Sequence, residues 1–362
     1  MIESLGRVAP KGERVAELMR VLLLTSGDWV GPETNPSRGL WGQPIYADCW
    51  AASKSLWHRI SQLTGLPAAL DPMRSLRLLI RQRQFDVIVS VFEESAVMAA
   101  LFKRIGLLRR PLVLWDFSPG TEWRMRKLFQ RIVLPNTDRI LCLSSSQIRA
   151  AEDDFGARDT AVWIGYNVDT EYYNPAFSSE GNYVLAVGKD ISRDYATLLQ
   201  AAACCPISLT ICTKLQLHLP DSSQANISVM DRWLTRAELR DIYGGARFVV
   251  LPLKDVPHPG GITNLAEAMC MGKAVICSDS AGVRDFLRHG ENAIVVPPGS
   301  PSAMRDAINL LDTDVPLRRK LGENARQYAE ETFSDSVFGR RFWNALGKFE
   351  RTGLERNSDV RH

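Results

Sequence analysis

The sequence lacks the long apolar segments of membrane-spanning and exported proteins. Its longest stretch without a charged residue runs from Tyr195 to Thr213. Pro206 interrupts this stretch, so we predict a helix followed by a buried strand there and not a membrane span. The first 18 residues contain no apolar run long enough for a signal peptide. We therefore expect a cytoplasmic protein.

Cysteine is scarce and does not occur in a pairing pattern. The chain has seven cysteines and no C-x-x-C pair, which argues against a disulfide framework and against a cysteine metal site. Cys142, Cys212 and Cys277 lie in apolar strand-like runs, and Cys270 lies in a helix-like run. We expect these four to be small buried residues in a reducing compartment.

A large excess of charge of one sign is also missing. The chain has 44 Lys and Arg against 41 Asp and Glu, a net charge of +3. This is too weak a basic field for a dedicated nucleic-acid-binding protein, so we expect no nucleic-acid partner. The 362 residues are enough for two domains at a typical size of about 150 residues each.

The sequence does contain two series of short apolar runs separated by segments of helix length. Continuous apolar strands that alternate with helices indicate parallel sheets covered on both faces. We predict an α/β protein with two Rossmann-like parallel-sheet domains facing a cleft: an N-terminal domain over 19–175, a C-terminal domain over 176–335, and a closing helix and tail over 336–362. The predicted strands are Val21–Thr25, Val87–Val91, Leu112–Trp115, Ile140–Leu143, Tyr183–Val187, Ile207–Ile211, Phe248–Leu251, Ala274–Cys277 and Ala293–Val296.

A glycine and two cations directly follow the first strand of the second series. Lys189 and Arg193 are four residues apart, beside Gly188, where backbone can approach a ligand closely. Such a pair can bind both phosphates of a diphosphate and neutralise the charge that develops there. The alternative is a solvated turn in which Arg193 pairs with Asp190 or Asp194.

A second glycine-containing loop lies between an apolar strand and a helix. Gly260 and Gly261 place backbone N–H groups at the start of this helix, which favours an anion. Glu267 falls about one and a half turns inside the helix, where its carboxylate can accept two hydrogen bonds from a ribose diol. The alternative is a plain loop with Glu267 as a surface charge.

The second half of the chain closely resembles the donor-binding half of GT-B retaining glycosyltransferases of family 4. Gly188 with Lys189 and Arg193 is similar to the diphosphate clamp of that family, with the two cation types exchanged. The resemblance covers residues 140–335, whereas residues 20–139 fit only in general pattern. The segments that carry it are 164–175, 260–278, 282–285, 290–299 and 321–326.

This resemblance implies that the second domain holds a nucleotide-sugar donor and the first domain an acceptor. By position, Lys189 and Arg193 would act on the diphosphate, and Glu267 would bind the ribose. The backbone of the loop would meet the sugar and the distal phosphate. The donor-binding positions are therefore Gly188, His258, Gly260, Gly261, Ile262, Thr263 and Glu267.

One position departs from the family pattern. Members often have a sugar-binding glutamate eight residues before the ribose glutamate, and this sequence has Pro259 there. Three explanations are open. His258 or Asp255 supplies the lost contact, or the sugar preference differs, or the protein has lost turnover.

The first half of the chain offers weaker candidates. Asp116 and the pair Glu93 and Glu94 follow predicted strands, so Asp116 is a candidate catalytic residue, near a position where family members often carry histidine. The alternative is that these carboxylates are structural. The glycine- and proline-rich stretch 26–44 is expected at the mouth of the cleft.

Basic charge is concentrated in the first half. From Arg74 to Arg131 there are 12 basic and 5 acidic residues. A basic helix with interleaved apolar groups such as Trp123, Leu128 and Phe129 can lie on anionic lipid at the inner face of the plasma membrane. The alternative is ordinary solvated helix faces.

The sequence thus predicts a retaining glycosyltransferase that moves a hexose-type sugar from a nucleoside diphosphate donor to a hydroxyl of a sugar or lipid-linked acceptor. Retention is implied by the resemblance alone. Two cations and a helix terminus neutralise the diphosphate, so we expect neither a cofactor nor a metal. The alternatives are a sugar-nucleotide epimerase or hydrolase with the same fold, and a non-catalytic sugar-nucleotide-binding protein.

Overall fold

The chain folds into two parallel six-stranded sheets. The computed structural model describes residues 19–25, 46–51, 60, 63, 70–120, 122–179, 181–219 and 225–349. The strand order is β2-β1-β3-β4-β5-β6 in the first sheet and β12-β11-β10-β7-β8-β9 in the second. The strands are β1 (Arg20–Thr25), β2 (Tyr46–Ala51), β3 (Val87–Val91), β4 (Leu112–Trp115), β5 (Arg139–Cys142), β6 (Ala161–Trp163), β7 (Tyr183–Val187), β8 (Ser208–Cys212), β9 (Asn226–Met230), β10 (Ala246–Leu251), β11 (Val275–Ser278) and β12 (Ile294–Val296).

Ten helices of eight or more residues lie in the described part of the chain. Many begin at side chains that accept hydrogen bonds from the first turn, because the first N–H groups of a helix have no partner within it. Asp71 caps the first helix in this way, accepting from Met73 N at 2.8 Å. The helices are α1 (Pro72–Arg81), α2 (Glu93–Arg104), α3 (Arg124–Val133), α4 (Ser145–Phe155), α5 (Tyr195–Ala202), α6 (Arg236–Gly245), α7 (Ile262–Cys270), α8 (Pro301–Thr313), α9 (Val315–Phe333) and α10 (Asp335–Leu346).

The central strands are buried on both faces, as continuous apolar runs require. One face of the first sheet packs on α1 to α4, and its core includes Leu22, Leu114 and Phe129. The expectation that Phe129 faces lipid is therefore wrong, because this side chain is only 3% exposed. The predicted α/β architecture is confirmed.

The C-terminal helix α10 returns to the first sheet. Phe338 and Phe342 pack against Trp115 at ring-centroid distances of 5.9 and 5.5 Å. Arg139 Nη1 donates to the carbonyl oxygen of Ala345 at 3.1 Å. A segment that follows the second sheet in sequence thus packs on the first.

Two smaller predictions are also confirmed. The charge-free stretch from Tyr195 contains α5 followed by β8. Cys142, Cys212, Cys270 and Cys277 are buried free thiols.

No helix among the described residues combines the length and the apolar composition needed to cross a bilayer. The stretch 26–44 lies outside the described residues.

Each sheet reverses its strand order at one point. The chain leaves β1 toward β2 on one side and continues with β3 on the other, and in the second sheet β7 and β10 are neighbours in the same way. Parallel sheets bind ligands beyond the carboxyl ends of the strands at such a reversal. The segments that follow β3, β7 and β10 are therefore where a site is expected.

Candidate functional site

The carboxyl edges of the two sheets face each other across a cleft of about 410 Å³. The hydroxyl groups of Tyr166 and Thr263, with their oxygens 2.8 Å apart, form a hydrogen bond across the cleft. The cleft brings together candidates from both halves of the sequence. Its polar and backbone lining includes Asp116, Asn167, Lys189, Asp190, Arg193, His258, Gly260, Gly261, Thr263 and Asn264.

Arg193 is the most enclosed cation of this cleft, at 5% exposure. Its Nη2 donates to Asn264 Oδ1 at 2.5 Å, whereas its Nε and Nη1 have no hydrogen-bond partner among the described residues. A buried guanidinium with unused donors is costly unless an anion compensates it. The solvated-turn alternative does not fit, because the Asp190 carboxylate faces His258 and the Asp194 carboxylate accepts from Thr197 N.

Two glycines make the room that the Arg193 guanidinium occupies. A Cβ at Gly188 would lie 2.0 Å from Arg193 Nε, and a Cβ at Gly261 would lie 2.5 Å from Nη1. Both glycines have positive φ, 141° and 91°, which side chains disfavour. The sequence predicts that these glycines lie beside a ligand. The structure shows that they also make space for the Arg193 side chain.

Lys189 lies at the outer side of the same site. Its side chain is exposed, and its Nζ lies 3.9 Å from the ring centroid of Trp233. Trp233 is itself 70% exposed, and the sequence offered no reason to select it. The two predicted cations therefore differ: Arg193 is fixed by buried neighbours, whereas Lys189 is held by a cation–π contact at the surface.

His258 stands beside Pro259 and between two carboxylates. Its Nε2 lies 3.7 Å from Asp190 Oδ2. Burial opposes the charged imidazole, but Asp190 and then Asp116 outweigh it and raise the pKa of His258. Asp255, the other proposed substitute for the missing glutamate, accepts from Ala281 N at 2.9 Å and is not among the cleft-lining residues.

Helix α7 begins at the cleft, and Gly261 is its N-cap residue. The first turn of a helix leaves N–H groups without partners and carries partial positive charge, so this end favours an anion. Ile262 and Thr263 line the cleft here. Asn264, which the sequence analysis did not select, joins this turn to Arg193.

Glu267 lies deeper in α7 and does not line the cleft. It is 7% exposed, and its Oε2 accepts from Tyr243 Oη at 3.1 Å and from Asn264 Nδ2 at 3.4 Å. Burial raises the pKa of Glu267 to about 7. The surface-charge alternative is therefore wrong, and ribose binding by Glu267 stays a prediction.

Asp116 is the carboxylate that the first domain presents to the cleft. It has a φ of 63°, and such a conformation in a residue other than glycine is typical of functional sites. Gln147 Nε2 donates to Asp116 Oδ1 at 2.5 Å, and Gln147 Oε1 accepts from Leu143 N at 2.7 Å. Burial raises the pKa of Asp116. Gln147 therefore fixes its orientation.

The neighbouring carboxylates Glu93 and Glu94 have structural partners. Arg126 forms ion pairs with both, and Gln130 Nε2 donates to Glu93 Oε1 at 2.9 Å. Burial raises the pKa of Glu93 to about 7. The structural interpretation of this pair fits these contacts, and Arg126 is no longer available to a membrane.

No group of three or more His, Cys, Asp or Glu among the described residues is arranged to hold a metal ion. The described basic side chains of the cleft are Lys189, Arg193 and His258. These side chains and the free N–H groups at the start of α7 are the described groups that can stabilise an anion in the cleft.

Part of the second domain matches a known family. Residues 223–328 match the family of Glycosyl transferases group 1. A segment of 76 residues is 34% identical to an uncharacterized glycosyltransferase of Methanocaldococcus jannaschii, and it makes up 21% of this chain and 19% of that protein. The matches to curated relatives span only about a fifth to a quarter of their length.

Solved structures of similar fold cover nearly the whole chain. Anabaena HepE in complex with UDP has a TM-score of 0.70 at 16% identity, covering 91% of this chain and 100% of that one. Sucrose-phosphate synthase of Thermosynechococcus elongatus has the same TM-score and identity, covering 92% and 100%. At these identities the likeness shows the fold, and the predicted GT-B architecture is confirmed.

Proposed function

We propose that this protein is a retaining glycosyltransferase that transfers a sugar from a nucleoside diphosphate sugar to an acceptor hydroxyl. The observation that carries the proposal is Arg193, a buried guanidinium with two unused donor nitrogens beside the start of α7. A diphosphate is an anion of suitable charge and size for two cations and a helix N-terminus. Anabaena HepE has been solved with UDP-glucose, so UDP sugars are the first donors to test.

In the proposed reaction the bond between the anomeric carbon and the diphosphate oxygen breaks, and the acceptor oxygen bonds to that carbon. Arg193 and Lys189 stabilise the negative charge that grows on the leaving diphosphate, which lowers the barrier because this charge is larger in the transition state than in the donor. In this proposal the acceptor attacks from the face that the diphosphate leaves, which retains the anomeric configuration. No cofactor or metal is part of this proposal.

Asp116 is assigned to the acceptor side of the same proposal. It lines the cleft opposite the helix α7 loop, and Gln147 holds its carboxylate in one orientation. A carboxylate so placed can take the proton that the acceptor hydroxyl loses when its oxygen bonds to the anomeric carbon. A sugar or a lipid-linked sugar fits this role, and His258 is assigned to the donor sugar at the position beside Pro259.

The first experiment measures donor binding and turnover in the Lys189→Ala/Arg193→Ala variant. Each charge-assisted bond contributes about 1.5 to 3 kcal/mol, so turnover should fall at least a hundredfold and the stabilisation by UDP in a thermal shift assay should disappear. The control is Arg319→Ala/Lys320→Ala, which removes two exposed cations of α9. Near-native kcat/KM in the cleft variant with its fold intact would exclude the proposed clamp.

The second experiment tests the ribose contact of Glu267. Glu267→Gln should weaken binding of UDP and leave binding of its 2′,3′-dideoxy analogue nearly unchanged, because only the hydroxyls pair with the carboxylate. Equal losses for both ligands would show that Glu267 supports Tyr243 and Asn264 and does not bind the ribose.

Product analysis separates the proposal from its alternatives. A glycosyltransferase leaves the donor intact until an acceptor is added, whereas an epimerase or hydrolase converts the donor alone. A non-catalytic binding protein would be stabilised by UDP sugars and would convert none of them with any acceptor.

A further inference from the structure

Helix α1 has apolar side chains on two opposite faces. Ser75 and Leu78 are buried on the inner side of the helix. Met73, Leu76 and Ile80 point away from it and are 71%, 53% and 72% exposed. Positions i, i+3 and i+7 lie on one side of a helix. A helix that is already packed on the sheet thus carries a second apolar stripe that faces outward.

This stripe continues onto the turn that follows α2. Ile105 and Leu107 are 66% and 51% exposed, and Ile80 and Leu107 line one groove. Gln82 joins the two segments, because its Nε2 donates to the carbonyl oxygen of Leu107 at 2.9 Å and its Oε1 accepts from Arg109 N at 2.8 Å. Ile80 and Leu107 therefore line one groove, with Met73 and Leu76 on the same side of α1 as Ile80, and Ile105 two residues before Leu107.

Arginines line the groove beside these side chains. Arg83, Arg109 and Arg110 contribute to it, and neither Arg83 nor Arg109 forms an ion pair within the described residues. The carboxylates of this part of the chain are occupied elsewhere. Asp86 accepts from Arg20 N at 2.8 Å, and Glu93 and Glu94 pair with Arg126. Among the residues that the structure describes, no carboxylate therefore pairs with Arg83 or Arg109.

We propose that this face docks on the surface of an anionic phospholipid bilayer. The docking face consists of Met73, Leu76, Ile80, Ile105, Leu107, Arg83 and Arg109. Exposed aliphatic groups enter the boundary between head groups and acyl chains, while guanidinium groups bind lipid phosphates with two parallel hydrogen bonds. A polyanion such as RNA would be attracted by the charge but would gain nothing from five exposed aliphatic side chains.

The inference is independent of the proposed chemistry, since no residue of the docking face lines the cleft. It also extends the predicted membrane contact beyond α3, whose N-cap residue Trp123 is apolar and 49% exposed. In α3 the structure buries Phe129 and pairs Arg126 with two glutamates. Lys127 and Arg131 of α3 remain exposed and provide a comparison within the same domain.

The test is sedimentation of the full chain with vesicles of phosphatidylcholine alone or with 30 mol% phosphatidylglycerol, which is roughly the anionic content of a charged leaflet. We expect binding to the anionic vesicles only, weakened by high salt because screening acts on the arginines. Arg83→Glu/Arg109→Glu and Leu76→Ser/Ile80→Ser should each reduce the partition coefficient about tenfold or more. Lys127→Glu/Arg131→Glu should reduce it less.

Matched controls place the same substitutions on the second domain. Arg319→Glu/Lys320→Glu and Leu310→Ser/Val315→Ser change exposed residues of α8 and α9 and should leave vesicle binding unchanged. UDP-induced stabilisation of every variant reports whether the cleft and the fold persist, separately from lipid binding.

Three results would overturn the inference. The first is failure of the unmodified chain to bind anionic vesicles at low salt. The second is undiminished binding by the Arg83→Glu/Arg109→Glu variant. The third is binding of both vesicles and heparin by Leu76→Ser/Ile80→Ser at the level of the unmodified chain, which would identify a site for polyanions in general.

Discussion

The two sheets have the same number of strands and the same parallel arrangement, yet their carboxyl edges are built differently. The edge of the second sheet is made of glycines, a helix N-terminus and cations, with Gly188 and Gly261 seating Arg193. The edge of the first sheet is made of carboxylates that are fixed by neighbours, Asp116 by Gln147 and Glu94 by Arg126. The edge of the second sheet has hydrogen-bond donors without partners. The edge of the first sheet has carboxylates that mostly bind other groups of the protein.

This difference indicates that the edge of the second sheet, and not that of the first, is arranged to bind an anion. A buried donor without a partner is costly, so Arg193 gains most from an anion that comes from outside. Glu93 and Glu94 gain less from a charged ligand, because Arg126 already pairs with both of them. The asymmetry supports the proposed placement of an anionic donor on the second domain.

A second comparison concerns one buried glutamate in each domain. Burial raises the pKa of both Glu93 and Glu267 to about 7. Their partners differ, since Glu93 has Arg126 and Gln130, whereas Glu267 has the hydroxyl of Tyr243. Two groups with the same titration range thus lie in different surroundings.

The largest expected effect is on the pH dependence of stability. An acid with a folded-state pKa of about 7 keeps its proton between pH 4.5 and 7, where the unfolded chain has lost it. The free energy of unfolding therefore falls as the pH rises through this range, by roughly 3 kcal/mol for each group. Urea unfolding at pH 5 and pH 7.5 measures the fall.

Glu93→Gln and Glu267→Gln should each remove about half of this pH dependence, because an amide does not titrate there. The matched control is Glu323→Gln, at an exposed position of α9, which should leave it unchanged. UDP should reduce the dependence in Glu93→Gln and not in Glu267→Gln if only the second site contacts the nucleotide. If the Glu93→Gln/Glu267→Gln double variant kept the full pH dependence of stability, these two glutamates would not be its source.

The next effect concerns the glycines around Arg193. Gly261→Ala should weaken UDP binding about a hundredfold, since its Cβ would displace the guanidinium and remove a charge-assisted contact worth about 1.5 to 3 kcal/mol. Gly290→Ala is the control, because Gly290 also has positive φ, 75°, but nothing lies within 4 Å of the added Cβ. Calorimetric titration with UDP gives both affinities.

Both variants should lose a similar amount of stability, about 1 kcal/mol, from the backbone conformation alone. Only Gly261→Ala should lose nucleotide. Equal affinities in the two variants would mean that the glycine does not act through Arg193.

The smallest effect is on the contact between the domains. Asp285 accepts from Ser145 N and Ser145 Oγ at 2.5 and 2.6 Å, so a carboxylate of the second domain caps helix α4 of the first. Asp285→Ala should cost about 1 kcal/mol and increase the radius of gyration in small-angle scattering. Asp279→Ala, which breaks an ion pair within one domain, should lower stability without changing the radius.

Much of the fold was predictable because buried parallel strands are continuous apolar runs. Three strands, β2, β6 and β9, were not predicted from the sequence, and all three lie at sheet edges. Edge strands need less apolar surface, and β9 has no buried residue. These strands are defined by backbone hydrogen bonds to the neighbouring strand, and such bonds do not require an apolar run in the sequence.

The donor loop was predictable because its parts are adjacent in sequence. Gly260 to Glu267 form one loop and one helix, so residue spacing alone places N–H groups and a carboxylate near each other. The neighbours of these residues were not predictable. Arg193 meets Asn264 across 71 positions, and Asp116 meets Gln147 across 31.

The alternation of strands and helices, the strand ends and the types of group that follow them can be read from the sequence, because they depend on local spacing and composition. Which charges remain available depends on the folded structure. It buried Phe129, paired Arg126 with Glu94 and left Arg193 with unused donors. The physical reason is that the energy of a charge depends on its burial and its partners, and residues far apart in the chain supply both.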